Sequence, residues 1–276
     1  MSAVCAQNVL TCKGDVYGGV TVKTAESIET DFNSKIPTVD EARKKLVHSI
    51  EHWKKSKING VWFEVDIKHS FWVPILVENG FTYHHAQSNQ VTLTRWLPED
   101  RPSSLPKYPF TSVGVGGVVE DANGRILLMK ERRGLYLGWK FPGGLSDPNE
   151  SIADAVVREV LEETGVETVF GGVLMFRHLK TTPFYKDTGD LYFVCYLKPK
   201  DETKLETTPC PNEAAAAQWL TREQIRELPR GEIHEFHHAI LERLDAMKTS
   251  GRRGCYLTSF DPKRTGWKPW DLYQYD

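Results

Sequence analysis

The sequence predicts an α/β fold divided into two domains, and three features carry that expectation. Strand-like and helix-like segments alternate along the chain. A stretch rich in proline and polar residues, 97–109, interrupts them as an extended linker. The length, 276 residues, is long for one average domain and suits two. The expected division is 1–98 for a small α/β domain, 99–110 for the linker, 111–250 for a second α/β domain and 251–276 for a tail.

Composition narrows the function classes. A content of 40% hydrophobic and 26% charged residues is that of an ordinary globular chain. The net charge of −2 gives no global basic field to attract nucleic acid or an acidic membrane. No apolar run approaches the roughly 20 residues that a membrane span needs. The first ten residues lack a basic n-region, so a signal peptide is not expected. Five cysteines without a Cys-x-x-Cys pair favour a reducing compartment. We expect the cytoplasm, with the nucleus and mitochondrion left open.

Within the first domain, residues 8–22 read as strands broken by Gly18 and Gly19. Leu46, Ile50 and Trp53 recur at helical spacing and predict a helix over 39–53, opened by Thr38 or Asp40. Residues 61–66 read as a strand, and 69–78 as a short helix ended by Asn79-Gly80. Residues 81–86 and 91–96 read as a strand pair. Trp53, Trp62, Phe63, Phe71 and Trp72 are expected in the core, with an interface as their second role. His69, His84 and His85 read as packing or surface groups in preference to ligands.

The second domain opens with a strand at 112–119, where Gly114, Gly116 and Gly117 permit close backbone approach. Asp121-Ala122-Asn123-Gly124 reads as a turn, with 125–130 returning as the second arm of a hairpin. Gly114-x-Gly116 is no dinucleotide fingerprint, because a third glycine and a following helix are missing. Arg132, Arg133 and Lys140 immediately precede an acidic segment. They are candidates to grip phosphate oxygens, and equally could be solvated loop charges. Residues 169–176 and 191–197 read as strands. The polar, aromatic loop between them suits a substrate mouth, with Phe184 or Tyr185 to stack on a base and Lys186 to meet phosphate. Residues 213–220 read as a late strand, with Glu213 a secondary acidic candidate, and a helix starts at Thr221. A last helix, 233–247, carries His234, His237 and His238. His234 and His238 have a metal-binding spacing, but a helix face or dimer contact is the expectation. The basic, then aromatic tail either docks on the body or binds a partner.

Residues 143–166 organise the chain. Gly143-Gly144 leads into a helix that Ser151 caps, with Asp154 three residues on, and Gly165 stops it. Ala153, Val156, Val157, Val160 and Leu161 gather on one side; Glu159, Glu162 and Glu163 gather on the other. Like charges at this spacing repel by roughly 0.2–0.5 kcal/mol per pair. They also crowd the negative end of the helix dipole. Arg158 offsets part of that repulsion. A hard divalent cation, Mg2+ or Mn2+, would offset the rest, because such ions prefer carboxylate oxygens.

The full string, Gly144-x5-Glu150-x7-Arg158-Glu159-Val160-x-Glu162-Glu163-x-Gly165-Val166, fills every fixed position of the Nudix box. The chain therefore resembles the Nudix hydrolase superfamily. The resemblance implies a Nudix α/β/α sandwich with a mixed sheet, and Mg2+- or Mn2+-dependent cleavage of a nucleoside diphosphate linked to another moiety. It implies Glu159, Glu162 and Glu163 as metal ligands, with the Gly143 carbonyl. Glu150 would be an acid close to the metals, and Arg158 would orient the glutamates. Glu163 and Glu162 are also candidates to deprotonate the water, but a ligand and a base compete for the same lone pairs, so the general base stays open. Residues 60–98, with Arg177-His178 and 190–197, are similar to one branch: the fibroblast-growth-factor antisense proteins of animals and their plant relatives. That branch implies an acetyltransferase-like first domain, a homodimer, and ADP-ribose or NADH cleaved to AMP and a second monophosphate. Capped RNA, flavin dinucleotide and coenzyme A are alternative substrates. A non-catalytic nucleotide-sensing or protein-interaction module is the rival class.

Overall fold

Thr38 starts the longest helix of the first half by a reciprocal cap. Its hydroxyl accepts from the Glu41 N–H at 3.3 Å, and the Glu41 carboxylate accepts from the Thr38 N–H at 2.8 Å. This computed structural model describes residues 8–134, 136–180, 188–251, 255–260 and 270–274, with the backbone alone at 256–260 and 270–274. The chain forms two compact units, Met1–Pro109 and Phe110–Asp276.

In the first unit, β1 (Lys13–Gly14) turns at Asp15 into β2 (Val20–Lys23), and α1 (Thr24–Asp31) follows. Then come α2 (Val39–Lys55), β3 (Gly60–Asp66), α3 (Trp72–Glu78), β4 (Thr82–Ala86) and β5 (Gln90–Trp96). The sheet order is β1-β2-β3-β5-β4, with β2 and β3 parallel and the other pairs antiparallel. Leu46, Ile50 and Trp53 of α2 pack with Phe63, Trp72 and Leu93 in one core. Trp62 and Phe71 are only half-buried. Trp62 alternates to the other face of β3 and meets the His84 ring at 4.8 Å.

Two expectations need correction here. The helix foreseen over 69–78 begins only at Trp72, because Asp66 caps a separate 3-10 turn, Ile67–His69. Helix α1 was not expected at all. Its sequence, TAESIETD, has one large apolar residue, Ile28, so no stripe announces it. The histidines behave as local structure: His69 Nδ1 lies 3.1 Å from the Thr24 hydroxyl, and His84 and His85 meet each other at 2.7 Å. Replacing Thr38 with alanine is expected to lower stability by about 1 kcal/mol. Urea unfolding followed by circular dichroism checks this.

The second unit contains β6 (Thr111–Val119), β7 (Ile126–Glu131), β8 (Trp139–Lys140), α4 (Ile152–Thr164), β9 (Thr168–Leu179) and β10 (Gly189–Pro199). It continues through β11 (Ala214–Leu220), α5 (Arg222–Arg226), α6 (Glu235–Ser250), β12 (Tyr256–Phe260) and β13 (Trp270–Gln274). One sheet has the order β6-β10-β9, mixed because β10 runs parallel to β6 and antiparallel to β9. A second, β11-β7-β8, is antiparallel. Alternation along the strands splits the core in two. Val115, Val119, Cys195 and Leu197 face Val156 and Val160 of α4, whereas Val118 and Val194 pack with Ile240 and Leu244 of α6. The sheets therefore lie between two helices.

The expected hairpin of 112–119 with 125–130 does not form a ladder. A single bridge, Glu120 with Ile126, joins the arms before they part into different sheets. Asp121 fixes the turn by accepting from the Asn123 and Arg125 amides and from Arg125 Nε. Beyond it, β6 is claimed on one edge by β10, and on the other by the segment leading into α4. In the tail, β12 and β13 pair antiparallel, and Cys255 bridges Val173 of β9. Among the described residues, no helix is long and apolar enough to cross a membrane.

Candidate active site

The site grows from the glycines of β6. Val115 and Gly117 donate to the carbonyls of Gly144 and Pro142, both at 2.8 Å, so the loop lies directly against the strand. A Cβ on Gly117 would stand 2.7 Å from a Val160 methyl, so its absence lets α4 close on the sheet. Gly143 has φ +154° and fits only because it has no side chain. Its neighbours' carbonyls are both taken by β6, and its own carbonyl has no protein donor among the described residues.

Helix α4 begins at Ser151, whose hydroxyl accepts from the Asp154 N–H at 3.1 Å and donates to the Asp154 carboxylate. It ends at Gly165, φ +76°, whose N–H donates to the Leu161 carbonyl. One face assignment is reversed. Leu161, expected inside, is 43% exposed, while Glu163, expected outside, is 6% exposed. The cause is the glycine loop: the Gly143 N–H donates to Glu163 Oε2 at 2.6 Å and draws that carboxylate inward.

Arg158 gathers the remaining acids. It donates to both oxygens of Glu150 at 2.8 Å, to Glu159 at 2.9 Å, to Glu162 at 3.0 Å and to the Leu145 carbonyl at 3.0 Å. Glu150 also accepts from the Asp147 N–H. The Arg158 bonds hold Glu150 down to about 2 and push Arg158 itself up. Glu159 moves up because burial outweighs Arg158, with Glu162 and Glu213 adding like charge. Burial pushes Glu163 up to about 7, against Lys140 and the Gly143 N–H.

Lys140 stands 4.0 Å from Glu163 and donates to Glu131 at 2.5 Å. Glu131 carries no sequence signal; only the β7–β8 pairing brings it here. Arg132 donates to the Ala214 carbonyl at 3.3 Å, and Arg133 is exposed. Phe184, Tyr185 and Lys186 lie outside the described residues. His234 caps α6 by accepting from the Phe236 N–H, and His237 is the more enclosed ring. Among the described residues, no three acidic, histidine or cysteine side chains converge as a ready metal cage. Arg158 and the Gly143 amide hold the carboxylates in separate bonds.

Two family profiles match the chain: residues 10–97 match the Nudix hydrolase domain, and residues 111–244 the NUDIX domain. The chain is 36% identical over 236 residues to Nudix hydrolase 8 of Arabidopsis thaliana, covering 83% of this chain and 59% of that protein. It is 38% identical over 209 residues to nucleoside diphosphate-linked moiety X motif 6 of Homo sapiens, covering 75% and 63%. It is 32% identical over 254 residues to Nudix hydrolase 2 of Arabidopsis thaliana, covering 91% and 86%. It thus spans about three fifths of the first two relatives and most of the third. With both halves matched and the acids of α4 clustered by Arg158 and the glycine loop, the chain belongs to the Nudix hydrolase family.

Proposed function

We propose that the chain hydrolyses the diphosphate bond of a nucleoside diphosphate derivative with the help of a divalent cation. One observation carries this reading: the enclosed carboxylates of Glu159 and Glu163 have only a shared Arg158, one amide and Lys140 at 4.0 Å to offset them. Hard oxygen donors around a net negative centre fit Mg2+ or Mn2+. Glu159, Glu163 and the Gly143 carbonyl, which has no protein donor among the described residues, would hold the ion. Bound there, a divalent ion polarises phosphoryl oxygens and makes water a better nucleophile.

The protein's own contributions follow from the geometry. Arg158 keeps Glu159 and Glu162 in reach of one another and ties both to Glu150. The Gly143 N–H aims Glu163. Glu162, whose side chain is 55% exposed, is the carboxylate with open access to water, and we assign it the proton-accepting role. Lys140, beside Glu163, meets phosphate charge. Arg132 and Arg133 are weaker candidates, since the first is bonded to β11. The resemblance to the antisense-protein branch supports ADP-ribose or NADH as substrate.

A Mg2+-dependent phosphate-release screen coupled to phosphatase tests the reading over ADP-ribose, NADH, capped RNA, flavin dinucleotide and coenzyme A. Glu162→Gln is expected to lose at least a hundredfold in turnover with an unchanged circular dichroism spectrum. Full turnover by that variant at saturating Mg2+ overturns the assignment. Absence of product from every compound, with measurable binding of one, would make the chain a nucleotide sensor.

A further inference from the structure

We propose that Arg177 and His237, together with Lys140, form an anion subsite beside the acids of α4 that takes the second phosphate of a diphosphate substrate. The subsite rests on the diphosphate reading and adds residues to it.

Arg177 lies on β9 directly opposite Tyr192 of β10. Its guanidinium donates to Asp190 Oδ2 at 2.7 Å and lies 5.0 Å from the Tyr192 ring and 5.4 Å from the Phe236 ring. These contacts fix the group but leave its Nε buried and without a partner. His237, in the first turn of α6, packs edge-on against Phe141 at 5.0 Å, and its Nδ1 is likewise buried and unpartnered. An unpaired buried polar atom is costly, so each invites a partner. The other such atoms among the described residues are on Trp53, Trp72 and Thr168. The two tryptophans sit in the core of the first unit, whereas Arg177 and His237 are bridged by Phe236, which is adjacent to His237 in the chain.

The charges that act on His237 are cationic, although Asp190 pairs with Arg177, and Glu131 and Glu163 lie beside Lys140. His237 is pushed down to about 4 by burial, then by His234, Lys140, His238 and Arg177. Its ring is therefore neutral at working pH, and Nδ1 can donate to an anionic oxygen in one tautomer. Lys140 links this cationic side to the acids, being 4.0 Å from Glu163. A diphosphate has two anionic groups to place. The acids hold one through a cation, and the guanidinium and imidazole receive the other directly by charge-assisted hydrogen bonds.

The test is a metal-free titration of the full chain with inorganic pyrophosphate, followed by histidine-ring resonances and by calorimetry. The expected result is a shift of the His237 resonance and an affinity at least tenfold weaker in His237→Phe and in Arg177→Lys. His237→Phe keeps the ring against Phe141, and Arg177→Lys keeps a cation for Asp190. With diphosphate substrate, both variants should raise KM about tenfold while kcat changes less than threefold. Unchanged affinity in both variants, or a His237 resonance that does not move, overturns the subsite and leaves the two atoms as a water-bridged pair. The two readings fail separately. No product from any compound with a moving His237 removes the hydrolase reading alone. An inactive Glu162→Gln with a still His237 removes the subsite alone.

Discussion

Arg158→Ala is expected to abolish measurable turnover and to lower stability by about 3 kcal/mol. The magnitude follows from breaking a partly buried ion-pair cluster by removing its only cation. Five hydrogen bonds go at once: two to Glu150 and one each to Glu159, Glu162 and the Leu145 carbonyl. The carboxylates of Glu150 and Glu159, only 15% and 14% exposed, then face each other without compensation. Arg158→Lys should recover part of the stability, since an ammonium keeps the charge but cannot span the fork-like contacts. Calorimetric melting and steady-state turnover measure both. The same cluster sets an acid limit. Glu150 ionises at about 2 in the folded chain, against 4.5 ordinarily. Its stabilisation is fully present above 4.5 and is lost as pH falls from there towards 2. Arg158→Ala should therefore flatten the decline in melting temperature across that window. An equally steep decline in the variant would place the acid sensitivity elsewhere.

The sequence disclosed the parts of this site that are local. Ser151, Gly165 and the Glu159/Glu162/Glu163 spacing are read within a few turns of one helix, where geometry is nearly fixed by register. The glycines of β6 also announced a close approach, though not by what. What stayed hidden depends on distant pairing. Arg158 meets Glu150 eight residues away, across a loop whose path no periodicity encodes. Glu163 turns inward towards one amide on another segment, against the exposure expected of its helix face. The hairpin expectation failed for a similar reason: β6 gains nine register pairs with β10, a strand 70 residues downstream, and only one bridge with its sequence neighbour. Arg177 was read as the start of a loop, but β9 runs on to Leu179, which brings Arg177 opposite Tyr192. The i, i+4 spacing of His234 and His238 marks only a helix face, and His234 is spent on capping α6, while no spacing marks His237.

Gly143→Ala should be the most damaging single methyl that this chain can receive near the site. A Cβ there would stand 2.1 Å from the Val115 carbonyl oxygen and 2.7 Å from Gly116 Cα. Both obstacles are backbone, so no side chain can swing aside. The glycine's φ of +154° adds strain of roughly 1–3 kcal/mol for any other residue. Overpacking adds about as much again, for a total loss of about 4 kcal/mol. To relieve it the loop must leave β6. That move gives up the Val115–Gly144 and Gly117–Pro142 bonds and withdraws the amide that aims Glu163. Turnover should fall at least a thousandfold even in material that still folds. Gly124→Ala is the control. Gly124 also has a positive φ, +74°, but nothing lies within 4 Å of its would-be Cβ. That variant should cost about 1 kcal/mol from backbone strain alone and leave kcat unchanged. The contrast separates backbone strain from close approach, because only Gly143 has both. Equal melting temperatures and equal turnover in the two variants would mean that the loop does not seat against β6 as described, and the aim of Glu163 would need another source.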